Sequence, residues 1–277
     1  MPTLIPTLAL TTTERALRQL YTQVFGELHG SGWLTDLLGE DQVKRLVEKR
    51  DVEAKRREER GVAETPTSLV EYTEFFQLVS IADKNWHHLA PALGEKKDTL
   101  ALIRRFEQLR NTVAHSRELL PFEEDLLSGI AGEIRNRVTF YMSKTTETNE
   151  YWARIESITD SYGNSVDGLA TTRSSNPGCL TGQTLRVGEV VTFDCRASDP
   201  KGRKITWKMA FLPSAASDRE PEAVEGDDVR LKWEVQPHHV SSQSSVHIRM
   251  TSDSPSHRWQ EGVDGMALFY YTVLPAE

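Results

Sequence analysis

The sequence is poor in cysteine, in long apolar runs and in targeting signals. Its 277 residues include two cysteines, Cys179 and Cys195, whose unlike surroundings predict reduced thiols and not a disulfide framework. No apolar run approaches the ~20 residues needed to cross a bilayer. The opening residues, MPTLIPTLALTTTE, lack the basic flank and long apolar region of a secretory signal. We therefore expect a cytoplasmic protein without membrane-spanning segments.

Several common catalytic and cofactor-binding motifs are also missing. The sequence has no GxSxG, no glycine-rich phosphate-binding loop and no HExxH. His87 and His88 have no third ligand at a suitable spacing, so they do not predict a metal site. Serine hydrolase, NTPase and zinc protease functions have no support, and we expect neither a cofactor nor a bound metal.

The charge of the chain is negative overall. It carries 41 acidic against 33 basic residues, a formal net charge of −8. This balance argues against a constitutive nucleic-acid binder, because such proteins gain affinity by neutralising phosphates with clustered Lys and Arg. It does not exclude an enzyme that acts on RNA, since a small cleft can be locally positive on an acidic protein.

The N-terminal half has the periodicity of amphipathic helices. Apolar residues recur at steps of three and four in successive segments. A first helix is predicted over residues 13–28, behind threonines suited to an N-cap. Others are predicted after Gly32, from Glu95 into the segment around Arg110, and from Pro121 onward. Trp152 and Ile155 extend the last helix or begin a short further one. We predict a four- or five-helix bundle within residues 1–158.

The segment from Thr67 to His88 shows the most regular spacing. We predict that Pro91 and Gly94 end this helix. Its predicted inward stripe follows steps of 3, 4, 3, 4 and 3, and consists of Leu69, Tyr72, Phe76, Val79, Asp83 and Trp86.

The C-terminal part has the period of β-strands. Residues 159–182 are rich in Ser, Gly, Asn and Thr and are interpreted as a linker. Alternating apolar residues and turn signals then predict six or seven short strands, an antiparallel β-sandwich over residues 183–277. The stretch GEVVTFDCRASDPKGRKITWKM resembles the opening strands of immunoglobulin-like and PKD-like modules. The predicted fold class is thus a two-domain α plus β protein.

A short motif in the helical half carries a family resemblance. Residues 107–117 read EQLRNTVAHSR, in which Arg110 is followed by the polar Asn111 and then by His115. This matches the R-x4-6-H pattern of the HEPN superfamily, and the likeness extends over roughly residues 13–143. The resemblance implies a helical bundle that commonly dimerises, with two motifs facing one cleft. It also implies metal-independent RNA cleavage in active members, many of which are toxins or antiviral effectors, whereas other members lack activity.

The chemistry of the two motif residues suits RNA cleavage. Histidine titrates near neutral pH, so His115 can move protons to and from ribose oxygens. The guanidinium of Arg110 can stabilise charge that develops on the phosphate. Five residues on an ideal helix correspond to a rotation of about 140°. Either the helix ends between Arg110 and His115, or two protomers contribute to the site.

Two further residues are candidate supporting groups. Asn111 either binds phosphate or orients His115, or else it caps the helix end. Asp83 either orients His115 or pairs with Arg110, although a structural ion pair is the favoured interpretation. Arg110 and His115 themselves can also serve a helix end by capping carbonyls or pairing with acids.

The resemblance, together with the chemistry of the motif residues, implies a metal-independent endoribonuclease with RNA as its substrate, a toxin or antiviral effector. We expect its β-sandwich to regulate it. We expect a homodimer formed through the helical bundle and a regulatory protein partner at the sandwich domain. The alternative is a non-catalytic dimerisation or nucleotide-binding adaptor whose sandwich binds a protein.

Overall fold

The computed structural model describes residues 4–60, 66–115, 117–143, 152–173, 177–212, 222–259 and 262–276. These described residues divide into two compact units. The helical unit holds those up to Val52 and from Pro66 to Met142, and the β unit holds the rest. The prediction of a helical part followed by a β part is confirmed.

The N-terminal part is built from seven α-helices within its described residues. Phe75 and Phe106 pack with ring centroids 5.2 Å apart and join the fourth helix to the sixth. The helices are α1 (Pro6–His29), α2 (Trp33–Leu38), α3 (Glu40–Glu58), α4 (Phe75–Lys84), α5 (Trp86–Leu93), α6 (Lys96–Ala114) and α7 (Pro121–Ser143).

Helix α1 begins earlier than predicted. Pro6 occupies the first turn and Ile5 is the N-cap, so the threonines predicted to cap the helix lie inside it. The hydroxyls of Thr12 and Thr13 donate to the carbonyl oxygens of Leu8 and Ala9, at 2.7 Å in each case. Each hydroxyl thus binds a backbone carbonyl four residues earlier in the same helix. Threonine side chains form similar local hydrogen bonds with the backbone when they cap a helix.

The predicted helix over residues 67–88 is interrupted. A 3₁₀ turn at Leu69–Tyr72 precedes α4, and α5 follows after Asn85. Because the helix is broken, the residues of the predicted stripe do not share one face. Phe76, which was predicted to face inward, is 61% exposed, and its neighbour Phe75 is buried. Pro91 was also wrongly placed, because it lies inside α5, whereas Gly94 ends that helix with a φ of 78°.

The predictions for α6 and α7 are confirmed. Helix α6 buries Ile103, Phe106 and Leu109. Helix α7 begins at Pro121 and carries Glu123 and Glu124 in its first turn, where acids favour the helix dipole. The apolar residues of its buried face are Leu127, Ile130, Ala131, Ile134, Val138 and Met142.

The β unit contains two sheets within its described residues. One has the strand order β2-β1-β4-β7 and the other the order β3-β9-β8-β5-β6. The elements are β1 (Arg154–Asp160), β2 (Ser165–Asp167), α8 (Gly168–Arg173), β3 (Gly178–Arg186), β4 (Val190–Ser198), β5 (Ile205–Leu212), β6 (Val224–Glu225), β7 (Asp228–Glu234), β8 (Ser241–Ser252) and β9 (Gly265–Leu274).

Both sheets contribute to one core of buried side chains. Ile158 and Phe193 come from the first sheet, and Trp207 and Phe269 from the second. The rings of Phe193 and Phe269 lie with their centroids 5.2 Å apart. Alternate residues of β4, β7 and β9 face this core, so these strands follow the period-two pattern of the sequence.

The predicted boundary between the two parts was wrong. Ile155 lies in β1, not in a helix, and the segment interpreted as a linker, 159–182, contains the end of β1, β2, α8 and the start of β3. The pairing of β1 with β4 shifts register between Ile155 and Ser157. This irregularity leaves two buried isoleucines, Ile155 and Ile158, three residues apart, a spacing that resembles a helix. Residues 144–151 of the predicted bundle lie outside the described residues.

The prediction of a purely antiparallel β region was also wrong. Strand β3 pairs with β9 in parallel, and their register shifts between Leu180 and Thr184. The remaining pairings between named strands described here are antiparallel. Strands β3 and β9 are far apart in the sequence, so whether they pair in parallel depends on long-range packing. The residues of each strand carry no local signal of this direction.

Candidate functional site

The predicted motif lies at the end of α6. The helix ends at Ala114, and His115 is its C-cap with φ of −91° and ψ of 20°. The backbone N–H of His115 donates to the carbonyl of Asn111 at 3.1 Å. Of the two alternatives, the structure shows the first: the helix ends before His115, and the backbone leaves the helical path at the histidine.

Arg110 is held between acidic side chains from other elements. Its Nε donates to Glu14 Oε1 at 3.3 Å, and its Nη2 lies 4.0 Å from Glu74 Oε2. Its Nη1 donates to Asn111 Oδ1 across a long 3.5 Å contact. With 27% of its side chain exposed, Arg110 lies at the rim of the helical core and not within it.

Glu14 on α1 is itself fixed by a second arginine. Arg18 Nη2 lies 3.2 Å from Glu14 Oε2, one turn along the same helix. Arg18 also donates to the carbonyl of Thr73 at 2.9 Å and lies 3.7 Å from Glu71 Oε2. Each oxygen of Glu14 is thus engaged by a different guanidinium, and the network ties α1 to the segment that precedes α4.

Glu74 is the N-cap of α4 and forms a reciprocal capping box with Gln77. The backbone N–H of Glu74 donates to Gln77 Oε1 at 2.8 Å. Lys49 on α3 donates to Glu74 Oε1 at 2.6 Å. This hydrogen bond lowers the pKa of Glu74 more than burial raises it, and the charges of Lys49, Arg110 and Arg18 lower it further. The Glu74 carboxylate therefore stays ionised between Lys49 and Arg110.

His115 is exposed, and its imidazole has no hydrogen-bond or ion-pair partner among the described residues. No direct bond joins it to Arg110 within that part of the chain. The structure therefore places the two motif residues on either side of a helix end without bringing their polar groups together. A site that uses both needs either a substrate long enough to contact both or a second copy of the chain.

Asp83 lies apart from the motif residues. Its carboxylate binds Lys96 at 2.7 Å and Arg104 at 2.8 Å. The hydrogen bond from Lys96, together with the two positive charges, lowers the pKa of this exposed carboxyl group. Asp83 therefore forms an ion pair, as the favoured interpretation expects, and no contact with Arg110 or His115 is observed among the described residues.

Sequence reasoning missed Glu14, Arg18 and Glu74. Two weak signals were present: the Glu14 and Arg18 spacing of four residues, and Glu74 three residues before Gln77 at the start of an apolar run. Neither signal points to Arg110, because the contact between Glu14 and Arg110 joins positions 96 residues apart.

Apolar side chains are exposed immediately after the motif. Leu120 is 58% exposed, Phe122 61% and Leu126 38%. Phe122 and Leu126 are four residues apart on α7 and share one helix face, which lies beside the buried face that contains Leu127. Where exposed apolar groups form a contiguous patch, they commonly mark an interaction surface. We call these three residues the α7 patch.

No protein-family model matches the chain, and no curated protein is significantly similar to it. Within the described ranges, no three His, Cys, Asp or Glu side chains are grouped so as to hold a metal ion. No helix in the described part of the chain combines the length and apolar character needed to cross a membrane.

Proposed function

We propose that the chain is a metal-independent endoribonuclease of the HEPN type. The observation that carries this proposal is the arrangement of the motif: an exposed His115 at the end of α6, five residues after an arginine whose position is fixed by Glu14. A free imidazole can exchange protons with substrate, and a guanidinium held at the rim can contact a phosphate.

The proposed reaction is transfer of the phosphodiester to the neighbouring ribose oxygen. His115 takes the proton from the 2′-hydroxyl, and the 2′-oxygen forms a bond to phosphorus while the bond to the 5′-oxygen breaks. Arg110 stabilises the negative charge that develops on the phosphate oxygens. A second imidazole, His115 of another copy, protonates the leaving 5′-oxygen. The products are a 2′,3′-cyclic phosphate and a 5′-hydroxyl.

The α7 patch supports a homodimer as the active form. Its three apolar residues lie immediately before α7 and in its first turns, a few residues after His115 in sequence. Their exposure leaves apolar area that a second copy can cover. A second copy is favoured over another partner because one chain supplies only one motif histidine. We expect Phe122→Glu and Leu126→Glu to give monomers without cleavage activity. Leu180→Glu, at a 79% exposed position in the β unit, is the matched control and should change neither property.

The β unit is proposed to be an immunoglobulin-like sandwich that regulates the helical unit through a protein partner. The orders β1-β4-β7 and β9-β8-β5 correspond to strands A-B-E and G-F-C of immunoglobulin domains, and Trp207 occupies the strand that carries the buried tryptophan there. A cytoplasmic toxin or antiviral effector is the proposed role of the whole chain.

A test of the nuclease compares wild type, Arg110→Ala and His115→Ala on total RNA in excess EDTA. Both variants should lose about 100-fold or more in rate. Arg104→Ala and His87→Ala are matched controls, since both side chains are exposed in the helical unit and neither belongs to the motif. Equal cleavage by wild type and both motif variants would refute the proposal.

One observation favours a non-catalytic adaptor as a second candidate. Both acids near Arg110, Glu14 and Glu74, already engage its guanidinium, an arrangement that also suits a purely structural arginine. An adaptor predicts that Arg110→Ala lowers stability while RNA stays intact with every variant. If growth arrest on expression depends on the α7 patch and not on His115, the adaptor interpretation is favoured.

A further inference from the structure

The Glu14 carboxylate occupies a central place in the polar network beside the motif. It is only 16% exposed, and its two oxygens are divided between two arginines on different helices. Arg18 is anchored by the backbone carbonyl of Thr73, so it cannot move without breaking that 2.9 Å bond. Glu14 is therefore a rigid acceptor for Arg110, because the group behind it is fixed.

The contact with Glu14 uses the Nε side of the Arg110 guanidinium. The opposite edge, formed by Nη1 and Nη2, has weaker engagements: a 3.5 Å contact with Asn111 and a 4.0 Å separation from Glu74. Lys49 binds the other oxygen of Glu74 at 2.6 Å, and this neighbouring positive charge weakens the pull of Glu74 on Arg110. A guanidinium edge of two N–H donors matches two oxygens of one phosphate group.

We propose that Glu14 is a positioning residue that holds Arg110 by its Nε, so that the Nη1 and Nη2 edge receives a phosphate group of the RNA backbone. This inference rests on the proposed function. When the phosphate binds, it replaces Asn111 Oδ1 as the acceptor for Arg110 Nη1. Asn111 therefore has a role at the same edge of the guanidinium. The carboxylate does not touch substrate, since both of its oxygens are already engaged by arginines.

The test measures two properties of the full chain: single-turnover cleavage of RNA, and affinity for a 2′-O-methyl oligoribonucleotide, which can bind but cannot react. Glu14→Ala removes the acceptor, and we expect about a tenfold or larger loss in cleavage, since small displacements of a catalytic group are costly. Glu14→Gln keeps an acceptor oxygen and should recover most of the rate. Glu133→Ala, which breaks an i,i+4 pair with Arg137 on α7, is the matched control and should behave as wild type.

A double variant distinguishes positioning from general stability. Glu14→Ala added to Arg110→Ala should cost no further activity, because Glu14 acts only through Arg110. A merely structural role would instead lower the rate of the Arg110→Ala protein again. Should Glu14→Ala fail to fold by circular dichroism, Glu14→Met supplies a side chain of similar length without an acceptor.

The outcomes separate this inference from the proposed function. If wild type cleaves RNA and a folded variant without the acceptor cleaves it equally, the positioning role is refuted while the nuclease stands. If wild type cleaves no RNA, the nuclease proposal fails and oligonucleotide affinity decides: weaker binding by Glu14→Ala supports the positioning role. Equal or absent binding by both proteins overturns it.

Discussion

Acidic side chains serve different purposes in the two units. In the β unit, buried acids close local turns: Asp160 accepts from the backbone of Tyr162 at 2.9 Å and of Asn164 at 2.8 Å. Asp199 accepts from the backbone of Lys201 at 2.8 Å and of Arg203 at 3.0 Å. In the helical unit, Glu14 and Glu74 also pair with side-chain cations from other helices, Arg110 and Lys49, although Glu74 caps α4 as well. Acids satisfied by nearby backbone are structural, whereas partly exposed acids that orient cations can support chemistry.

The largest effect on stability is expected at Asp160. Asp160→Ala removes the acceptor for the Tyr271 hydroxyl at 2.7 Å, as well as for two backbone N–H groups and the Asn164 amide, all in a buried site. Unmet donors of this kind should cost about 3 kcal/mol or more of the unfolding free energy. Chemical denaturation measures this loss of unfolding free energy. We expect the variant to cleave RNA like the wild type at low temperature, where it is still folded. A loss under about 1 kcal/mol would contradict the structural role.

A smaller effect is expected at Glu74, the N-cap of α4. Glu74→Ala removes the cap and the Lys49 contact, and loss of a capping side chain costs about 1 kcal/mol. Chemical denaturation should show this loss as a lower free energy of unfolding than that of the wild type. Glu74→Asp is the conservative comparison, since aspartate is a good N-cap. An unchanged melting temperature in Glu74→Ala would contradict the assignment.

The charge of Glu74 predicts a dependence on pH. Because its pKa in the folded protein is lower than its ordinary value, the stabilisation is present above the ordinary glutamate pKa of about 4.3 and is lost as pH falls through the folded pKa. Glu74→Gln keeps the shape of the side chain without the charge. The difference in unfolding free energy between wild type and this variant should be present near neutral pH and vanish in acid. A constant difference would exclude the ionic contribution.

The smallest effect is expected at Asp83. Its partners Lys96 and Arg104 are exposed, and exposed ion pairs contribute about 0–1 kcal/mol. Asp83→Asn should therefore leave stability nearly unchanged, with wild-type RNA cleavage. Thermal unfolding at low and high salt checks this prediction. A strong loss of cleavage would show that Asp83 belongs to the functional site. It would also show that surface ion pairs, like the Glu14 network, can support activity.

Local pattern predicted the elements whose signals are local. Helix α7 follows from Pro121, the acids after it and one regular apolar face, and α6 from its stripe through Leu109. Strands β4, β5 and β9 follow from alternation between apolar and polar residues. In each case one face of the element is buried, so apolar residues recur at the period of that element and the pattern is visible in the sequence.

Features that depend on residues far apart in the sequence could not be predicted from local patterns. The irregular register in β1 gave two isoleucines a helical spacing, and the parallel pairing of β3 with β9 joins strands about 90 residues apart in the chain. The candidate site shows the same limit. Arg110 and His115 could be named from their spacing, whereas Glu14 became visible only when α1 was placed beside α6.

The most direct test of the account is the chemistry of the RNA ends produced in excess EDTA. We predict that wild type leaves 2′,3′-cyclic phosphates and 5′-hydroxyls, and that His115→Ala leaves RNA intact. These ends require attack by the 2′-hydroxyl without a metal-activated water. Cleavage that leaves 3′-hydroxyls and 5′-phosphates, or equal cleavage by His115→Ala, would contradict the assignment of Arg110 and His115 as the catalytic pair.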